Sequence, residues 1–441
     1  MKKAVYAVFD IGKTNKKLLL FDEDQQVLEE RQEVFAEIKD EDGFPCDDVD
    51  RLTEWLLATW ADLQRDARYA VKGVNFTAYG ASFVHIGHDG KPVLPLYNYL
   101  KPLPEAVAAQ FYAELDEHAD AFAACTCSPR LGMLNSGLQL YWIRHTKPDV
   151  YQRIRYSLHL PQYLSFLLSG ETFSDYTSVG CHTALWNFQK GDYHTWVKRE
   201  RIDEKLAPLT RDSVASVVDG VLVGIGLHDS SAALMPYLLQ SEDPFLLIST
   251  GTWCINLNPF NNAPLTTDGL HRDCLSYLSP KGRQTKASRV FFGREHDFQT
   301  ERIAAHFGLA PDFYKSLAFA RPVSPLKPFR PACMSGTGPF PDQPAADWDL
   351  SVYASAEEAY QHLMDGLLDI LQESISLIDT GERILYIDGG FARNAVFMQG
   401  LAKRFPDRSI RTLDVPQATA LGAMMHLQQG EAHRQTRLLF T

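Results

Sequence analysis

Apolar residues gather in short runs that stop at glycine-bearing turns. Val5-Tyr6-Ala7-Val8-Phe9 runs into Asp10-Ile11-Gly12, Phe245-Leu246-Leu247-Ile248 into Ser249-Thr250-Gly251-Thr252, and Ile384-Leu385-Tyr386-Ile387 into Asp388-Gly389-Gly390. Short apolar runs bounded by turn residues predict strands buried on both faces. Elsewhere the period lengthens. Residues 51–66 place Leu52, Trp55, Leu56, Thr59 and Leu63 on one face, the pattern of an amphipathic helix. Residues 356–379 repeat it with Leu363, Leu367, Ile370, Leu371, Ile375 and Leu377-Ile378, and 392–405 and 417–428 also read as helices. Strands mixed with helices predict an α/β protein. Ser241-Glu242-Asp243-Pro244 reads as a crossing between two halves, dividing the chain into 1–242 and 243–441. Residues 322–346, rich in Pro, Gly and Ser, predict a loop or lid.

Composition narrows the classes. A chain of 441 residues suits two or three domains. A formal net charge of −12 argues against general nucleic-acid binding, which needs a basic face, but leaves room for a local cationic pocket. No apolar run approaches the length of a membrane-spanning helix, and the first ten residues lack a signal peptide's apolar region, so the cytoplasm is expected. The seven cysteines are scattered, and Cys125-Thr126-Cys127 lacks zinc spacing, which fits reduced thiols.

Four stretches carry candidate chemistry, each with two readings. Asp10 to Lys17 is either a plain hairpin turn with solvated lysines or a phosphate-holding turn. In the second reading Gly12, Lys13, Thr14, Asn15 and Lys17 surround phosphate oxygens and Asp10 holds hydrated Mg2+. Ser249 to Thr252 is a hairpin turn or a second phosphate clamp built on Thr250, Gly251 and Thr252. Gly389-Gly390, with Asn394 in the first turn of the next helix, is a tight connection or a bare backbone against which a base or ribose lies flat. His228-Asp229 precedes a small-residue helix, and Asp229 is either its cap or a general base. The small residues of 415–427 suit close helix packing.

Taken in order, these blocks resemble the FGGY sugar kinases of the actin, hexokinase and Hsp70 superfamily, over nearly the whole chain. The family's D-x-G-T-[ST]-x-x-[KR] loop is similar to Asp10 through Lys17, with Lys13 in place of Thr. Its G-x-x-D-x-x-A-A block resembles Gly226 through Ala233, its S-x-G-T-W block Ser249 through Trp253, its D-G-G-x-x-x-N block Asp388 through Asn394, and its A-L-G-A block Ala420 through Ala423. Tyr79-Gly80-Ala81-Ser82 stands where many members carry Q-M-H or W-G-x-D, Tyr97-Asn98-Tyr99 replaces a W-x-D, Gln139 replaces a lysine, and the C-terminal half is short.

The resemblance implies two actin/hexokinase-like (ribonuclease H-like) α/β domains with a cleft between them, a sugar-binding one and a nucleotide-binding one. It implies a kinase using ATP and Mg2+ on a small-molecule sugar, with neither nucleic acid nor membrane as partner and a homodimer as the candidate assembly. The blocks around His228-Asp229 and Ser249 to Trp253 look most like L-rhamnulose and L-fuculose kinases, so a 6-deoxy-ketose is the expected acceptor. Implied roles are catalysis for Asp229, metal binding for Asp10 and Asp229, and sugar contact for Tyr79, Ser82, Phe83, Asn98, Asp175 and His228. Kinases of another pentulose, polyol or sugar acid (xylulose, ribulose, glycerol, erythritol) and a non-catalytic nucleotide or sugar sensor are the alternatives.

Overall fold

The structure, a computed structural model, describes residues 2–318, 331–334, 348–412 and 417–439, with side chains up to residue 432 in the last helix. Of the expected loop at 322–346, all but 331–334 lies outside the described residues. The chain forms two compact units. One comprises Met1–Gln240, Tyr277–Arg283 and Pro416–Thr441; the other comprises Ser241–Ser276 and Gln284–Val415.

The first unit is built on a sheet ordered Val214–Val218, Val221–Gly224, Tyr69–Ala78, Lys3–Ile11, Asn15–Phe21, Val27–Val34, with Leu227–His228 also on Tyr69–Ala78. Lys3–Ile11 is apolar on both faces because both are covered; Val5 through Phe9 are buried. It pairs antiparallel with Asn15–Phe21 and parallel with Tyr69–Ala78. The predicted helix forms over Val49–Arg65. Asp48 caps it by accepting from the Arg51 N–H at 3.0 Å, and Val49, Leu52, Leu56 and Leu63 face the core. They pack with Phe9, Phe76 and Val74, while Phe111, Tyr141, Trp142 and Trp196 lie in a second cluster.

The second unit repeats the plan. Its sheet runs Cys274–Leu278, Gln284–Val290, Cys254–Asn258, Phe245–Thr250, Ile384–Gly389, Ser409–Thr412. Phe245–Thr250 pairs antiparallel with Cys254–Asn258 and parallel with Ile384–Gly389, as Lys3–Ile11 does with its two neighbours. The three apolar runs of the sequence therefore have defined places. Two are the central strands of the two sheets, and Ile384–Gly389 occupies in its sheet the position of Tyr69–Ala78.

The helix Ala418–Leu439 returns to the first unit. A Cβ on Gly422 would lie 1.9 Å from the Ala232 carbonyl oxygen, so the two backbones touch where no side chain fits. The Asn75 amide donates to the Ala423 carbonyl at 2.7 Å, and its oxygen accepts from the Phe76 and Gly226 N–H groups at 2.9 and 3.0 Å. One buried amide thus ties this helix to the sheet and to the chain leading into His228.

Gly422→Ala should destabilise the first unit by about 1–3 kcal/mol, the usual cost of overpacking a rigid contact. A urea melt reads this as a lower midpoint, whereas Gly390→Ala, whose Cβ would meet nothing within 4 Å, should leave the midpoint unchanged.

Candidate active site

In the first unit the central strand ends in a hairpin closed by the Gly12 N–H on the Asn15 carbonyl at 2.9 Å. Asp10 stands opposite Lys17 across the ladder. Its Oδ2 accepts from the Thr419 hydroxyl at 3.0 Å. Burial pushes its carboxyl up to about 6; the Thr419 bond and Lys17 pull down, while the charges of Asp229 and Glu30 push further up. The three lysines of the turn are each paired. Lys13 Nζ lies 2.6 Å from Asp47 and 2.9 Å from Glu37, buried Lys16 lies 3.1 Å from Asp47, and Lys17 lies 2.8 Å from Glu30. Lys13 and Lys17, expected to contact phosphate, are paired with carboxylates here, and Thr14 is the exposed residue of the turn.

The parallel strand Tyr69–Ala78 delivers the 79–82 loop beside this turn; the Tyr79 N–H donates to the Ile11 carbonyl at 3.2 Å. Ala81 takes a φ of 59°, a left-handed conformation, and Gln139 donates to its carbonyl at 2.8 Å. Gln139 therefore bolts this loop in place. A Cβ at Gly80 would fall 2.7 Å from His228 Nε2, so the glycine admits the imidazole. His228 Nε2 lies 3.4 Å from Cys181 Sγ and 3.3 Å from Asp229 Oδ1.

Asp229 opens the helix Asp229–Gln240. Its Oδ1 accepts from the Ser230 N–H and hydroxyl at 2.5 and 3.1 Å; Oδ2 has no partner among the described residues. The side chain is 34% exposed, and one of its two oxygens is fixed.

Three of the expected contact residues are engaged within the fold. Asp175 is buried and caps the helix Tyr176–Val179: its oxygens accept from the Thr177 N–H and hydroxyl, the Ser178 N–H and the Gln162 amide at 2.7–3.1 Å. Burial pushes its carboxyl up against the pull of these bonds. Its bonds are spent within the fold, and through them it fixes the chain that leads into His228. The Thr177 hydroxyl it holds accepts from the His228 N–H at 2.9 Å, and Gln162 also donates to the Gly226 carbonyl at 2.9 Å. Phe83 is fully buried and stacks on His159 at 4.0 Å, a core residue rather than a contact. Asn394 precedes the helix Ala395–Arg404 as its cap instead of lying in its first turn, and its amide donates to the Tyr360 hydroxyl at 2.7 Å. Of the remaining sugar candidates, Tyr79 donates to Asp47 at 2.7 Å, Asn98 accepts from the Leu100 N–H at 3.0 Å, and Ser82 is buried.

In the second unit the turn after Phe245–Thr250 is closed by the Gly251 N–H on the Trp253 carbonyl at 2.9 Å. The Thr250 hydroxyl is occupied. It donates to the Asp388 carbonyl at 2.5 Å and accepts from the Phe391 N–H at 3.1 Å, joining the two glycine turns of this unit. Gly389 has a φ of 86°, and a Cβ there would lie 1.8 Å from the Thr250 carbonyl oxygen, so only glycine fits. Gly251, Thr252, Gly389 and Gly390 are exposed.

Asp10 and Asp229 form a hard-oxygen donor pair whose mutual repulsion raises Asp10, and such a pair fits Mg2+. A second cluster, Glu117, Cys125 and His194, has its ligand atoms within 4.8 Å of one another but is internally satisfied. His194 Nδ1 accepts from the Trp196 N–H at 3.3 Å, which leaves the proton on Nε2 to bond Glu117 at 2.7 Å.

Two sheets of one plan, each with glycine turns at the ends of its central and parallel strands, and a helix-opening aspartate beside a histidine, define a phosphotransferase of sugar-kinase type. Residues 5–200 match the N-terminal domain of the FGGY family of carbohydrate kinases, and 242–435 match the carbohydrate kinase FGGY C-terminal domain. The chain belongs to that family and is an ATP-dependent kinase acting on a hydroxyl group. It is similar to a rhamnulokinase of Oceanobacillus iheyensis, 20% identical over 93% of this chain and 90% of that protein. It is also similar to the crystal structure of a carbohydrate kinase from Novosphingobium aromaticivorans (TM-score 0.81, 26% identity, 98% of this chain and 92% of the other). The ligand-bound xylulose kinase of Lactobacillus acidophilus shares the fold at TM-score 0.78 and 15% identity, over 97% and 90% of the two chains. Among the described residues no helix is long and apolar enough to cross a membrane.

The raised Asp10 carboxyl makes a signed prediction. Its ordinary value is 3.8 and its value in the fold about 6, so its contribution to stability is full below about pH 4 and lost as pH rises through 6. Without nucleotide or metal, Asp10→Asn should melt several degrees above wild type at pH 8, with the gap closing below pH 5 in a thermal-melt series.

Proposed function

We propose that this kinase phosphorylates a 6-deoxy-ketose such as L-rhamnulose or L-fuculose, with Asp229 as general base. The observation that carries the base assignment is the asymmetry of the Asp229 carboxylate. Oδ1 is held by Ser230 and faces His228, while Oδ2 has no partner among the described residues on a side chain that is one-third exposed. A base needs both a fixed orientation and a free lone pair. The choice of sugar class is supported by the rhamnulokinase similarity along nearly the whole chain and by the Gly80–His228–Asp229 cluster.

In this reading the acceptor hydroxyl gives its proton to Asp229 Oδ2 as its oxygen forms a bond to the γ-phosphorus. The bond from that phosphorus to the bridging oxygen breaks, and ADP leaves with the electron pair. His228 holds the acceptor and, through its place beside Oδ1, the rotamer of the base. Tyr79, Ser82 and Asn98 are assigned to sugar contact. Asp10 would hold Mg2+, with the charge of Asp229 close enough to act on Asp10, and the ion would supply charge neutralisation at the phosphates. Gly12, Thr14 and Asn15 of the first unit are assigned to phosphate, as are the backbone of Thr250 and Gly251 and the hydroxyl of Thr252 in the second. Gly389 and Gly390 are assigned to the nucleoside.

ADP release across a panel of ketoses, polyols and sugar acids, with Asp229→Asn beside wild type, tests both parts. Turnover on L-rhamnulose or L-fuculose, reduced about 100-fold or more in the variant, is expected from typical general-base contributions. Turnover only on another sugar rejects the substrate, and near-normal turnover of Asp229→Asn rejects the base.

A further inference from the structure

Asp47 belongs to none of the motifs, yet it joins two of them. Its Oδ2 accepts from Lys13 Nζ at 2.6 Å and from the Tyr79 hydroxyl at 2.7 Å, and its Oδ1 from Lys16 Nζ at 3.1 Å. Lys16 Nζ also donates to the Lys13 carbonyl at 2.8 Å. The carboxylate therefore underpins the 12–15 turn and holds the first residue of the 79–82 loop. Burial alone would raise it; the bonds from Lys13 and Tyr79 and the lysine charges outweigh burial and hold it below the ordinary carboxylate range.

Its three donors differ in freedom. The Lys16 side chain is 2% exposed, and its Nζ is held by two acceptors, the Lys13 carbonyl and Asp47. Tyr79 is buried, and its backbone is bonded to Ile11. The Lys13 side chain is 25% exposed and is shared with the outlying Glu37 at 2.9 Å. Lys13 is thus the donor with a route to solvent, and it shares a single acceptor oxygen with Tyr79.

We propose that Asp47 is a positioning residue that couples nucleotide phosphate at the 12–15 turn to the 79–82 loop, with Lys13 as the moving part. The inference rests on the assignment of that turn to phosphate. Without nucleotide, Lys13 is held on Oδ2. A triphosphate carries more charge than a carboxylate and draws the ammonium off; Tyr79 then has Oδ2 to itself, and the loop that opens onto Gly80 and His228 is held more firmly. Two donors competing for one oxygen are linked, and linkage is reciprocal. Removing the Tyr79 hydroxyl leaves Lys13 more tightly held on Asp47 and weakens nucleotide, although Tyr79 touches no phosphate.

Calorimetric titration with Mg2+ and the non-hydrolysable analogue adenosine 5′-(β,γ-imido)triphosphate tests this in wild type, Lys13→Met, Tyr79→Phe and the double variant, each first shown to melt cooperatively. Lys13→Met and Tyr79→Phe should each raise Kd about 5-fold, the lower range of site-to-site coupling. In the Lys13→Met background Tyr79→Phe should add nothing, and Lys13→Arg, which keeps the charge, should restore the dependence on Tyr79. Wild-type affinity in Tyr79→Phe, or an effect of the same size in both backgrounds, overturns the coupling alone. Wild-type affinity in Lys13→Met takes Lys13 away from phosphate and overturns the coupling, whereas an affinity unmoved by Thr14→Val as well overturns the phosphate assignment of the turn.

Discussion

The parallel register between Lys3–Ile11 and Tyr69–Ala78 is the constraint on which the first unit's chemistry depends. Ala78 is flanked by Ile11 on one side and by His228 on the other, because Leu227–His228 pairs with the same strand. Three strand ends thus stop at one level: the first leads into the Gly12 turn, the second into Tyr79-Gly80, and the third into Asp229. Ligands gather at the carboxyl ends of parallel strands because there the chain must turn and expose backbone and side-chain polar groups together. A slip of one residue would turn every side chain of the strand to the opposite face and carry Asp10 out of place. The buried Asn75 amide, bonded to Gly226 and to Ala423, guards that register from both flanks.

The second sheet shows what is common and what is particular. Its central hairpin and parallel neighbour repeat the geometry of the first, down to a glycine whose N–H closes the turn in each, Gly12 on Asn15 and Gly251 on Trp253. The side chains at the strand ends diverge. The first unit presents carboxylates and an imidazole; the second presents hydroxyls and bare glycine backbone. One scaffold can thus serve two binding tasks, with the difference confined to a few residues past each strand.

Much of this was legible in the sequence. The apolar runs ending in glycine turns located both central strands and the strand Ile384–Gly389, and the helical periods at 51–66 and 356–379 fell within two residues of Val49–Arg65 and within three of Ala356–Ser376. Individual side chains were harder. Asp175, Phe83 and Asn394 stand in the right neighbourhood, but a residue's number along a motif does not say whether its side chain turns toward solvent, core or its own backbone. Asp and Asn at helix starts bond the nearest N–H groups by default, which is where Asp175 and Asn394 went. Asp47 gave no signal at all, because it sits beside Asp48, and an acid before an amphipathic helix reads as a cap. Thr419, bonded to Asp10, looked like one more small residue of a packing helix. Their roles come from partners 31 to 409 positions away, and no local pattern encodes such distances.

The return of the helix Ala418–Leu439 to the first unit sets an order of assembly. During synthesis the first 240 residues emerge without the surface that covers Gly73, Asn75 and Ala232, and Asp10 lacks Thr419. The whole second unit must leave the ribosome before the first can close. The two sheets are therefore not beads on a string that fold in turn. The site-bearing one waits for the 418–439 helix, and a chain released before it exposes an unfinished seam to chaperones and proteases instead of a working half.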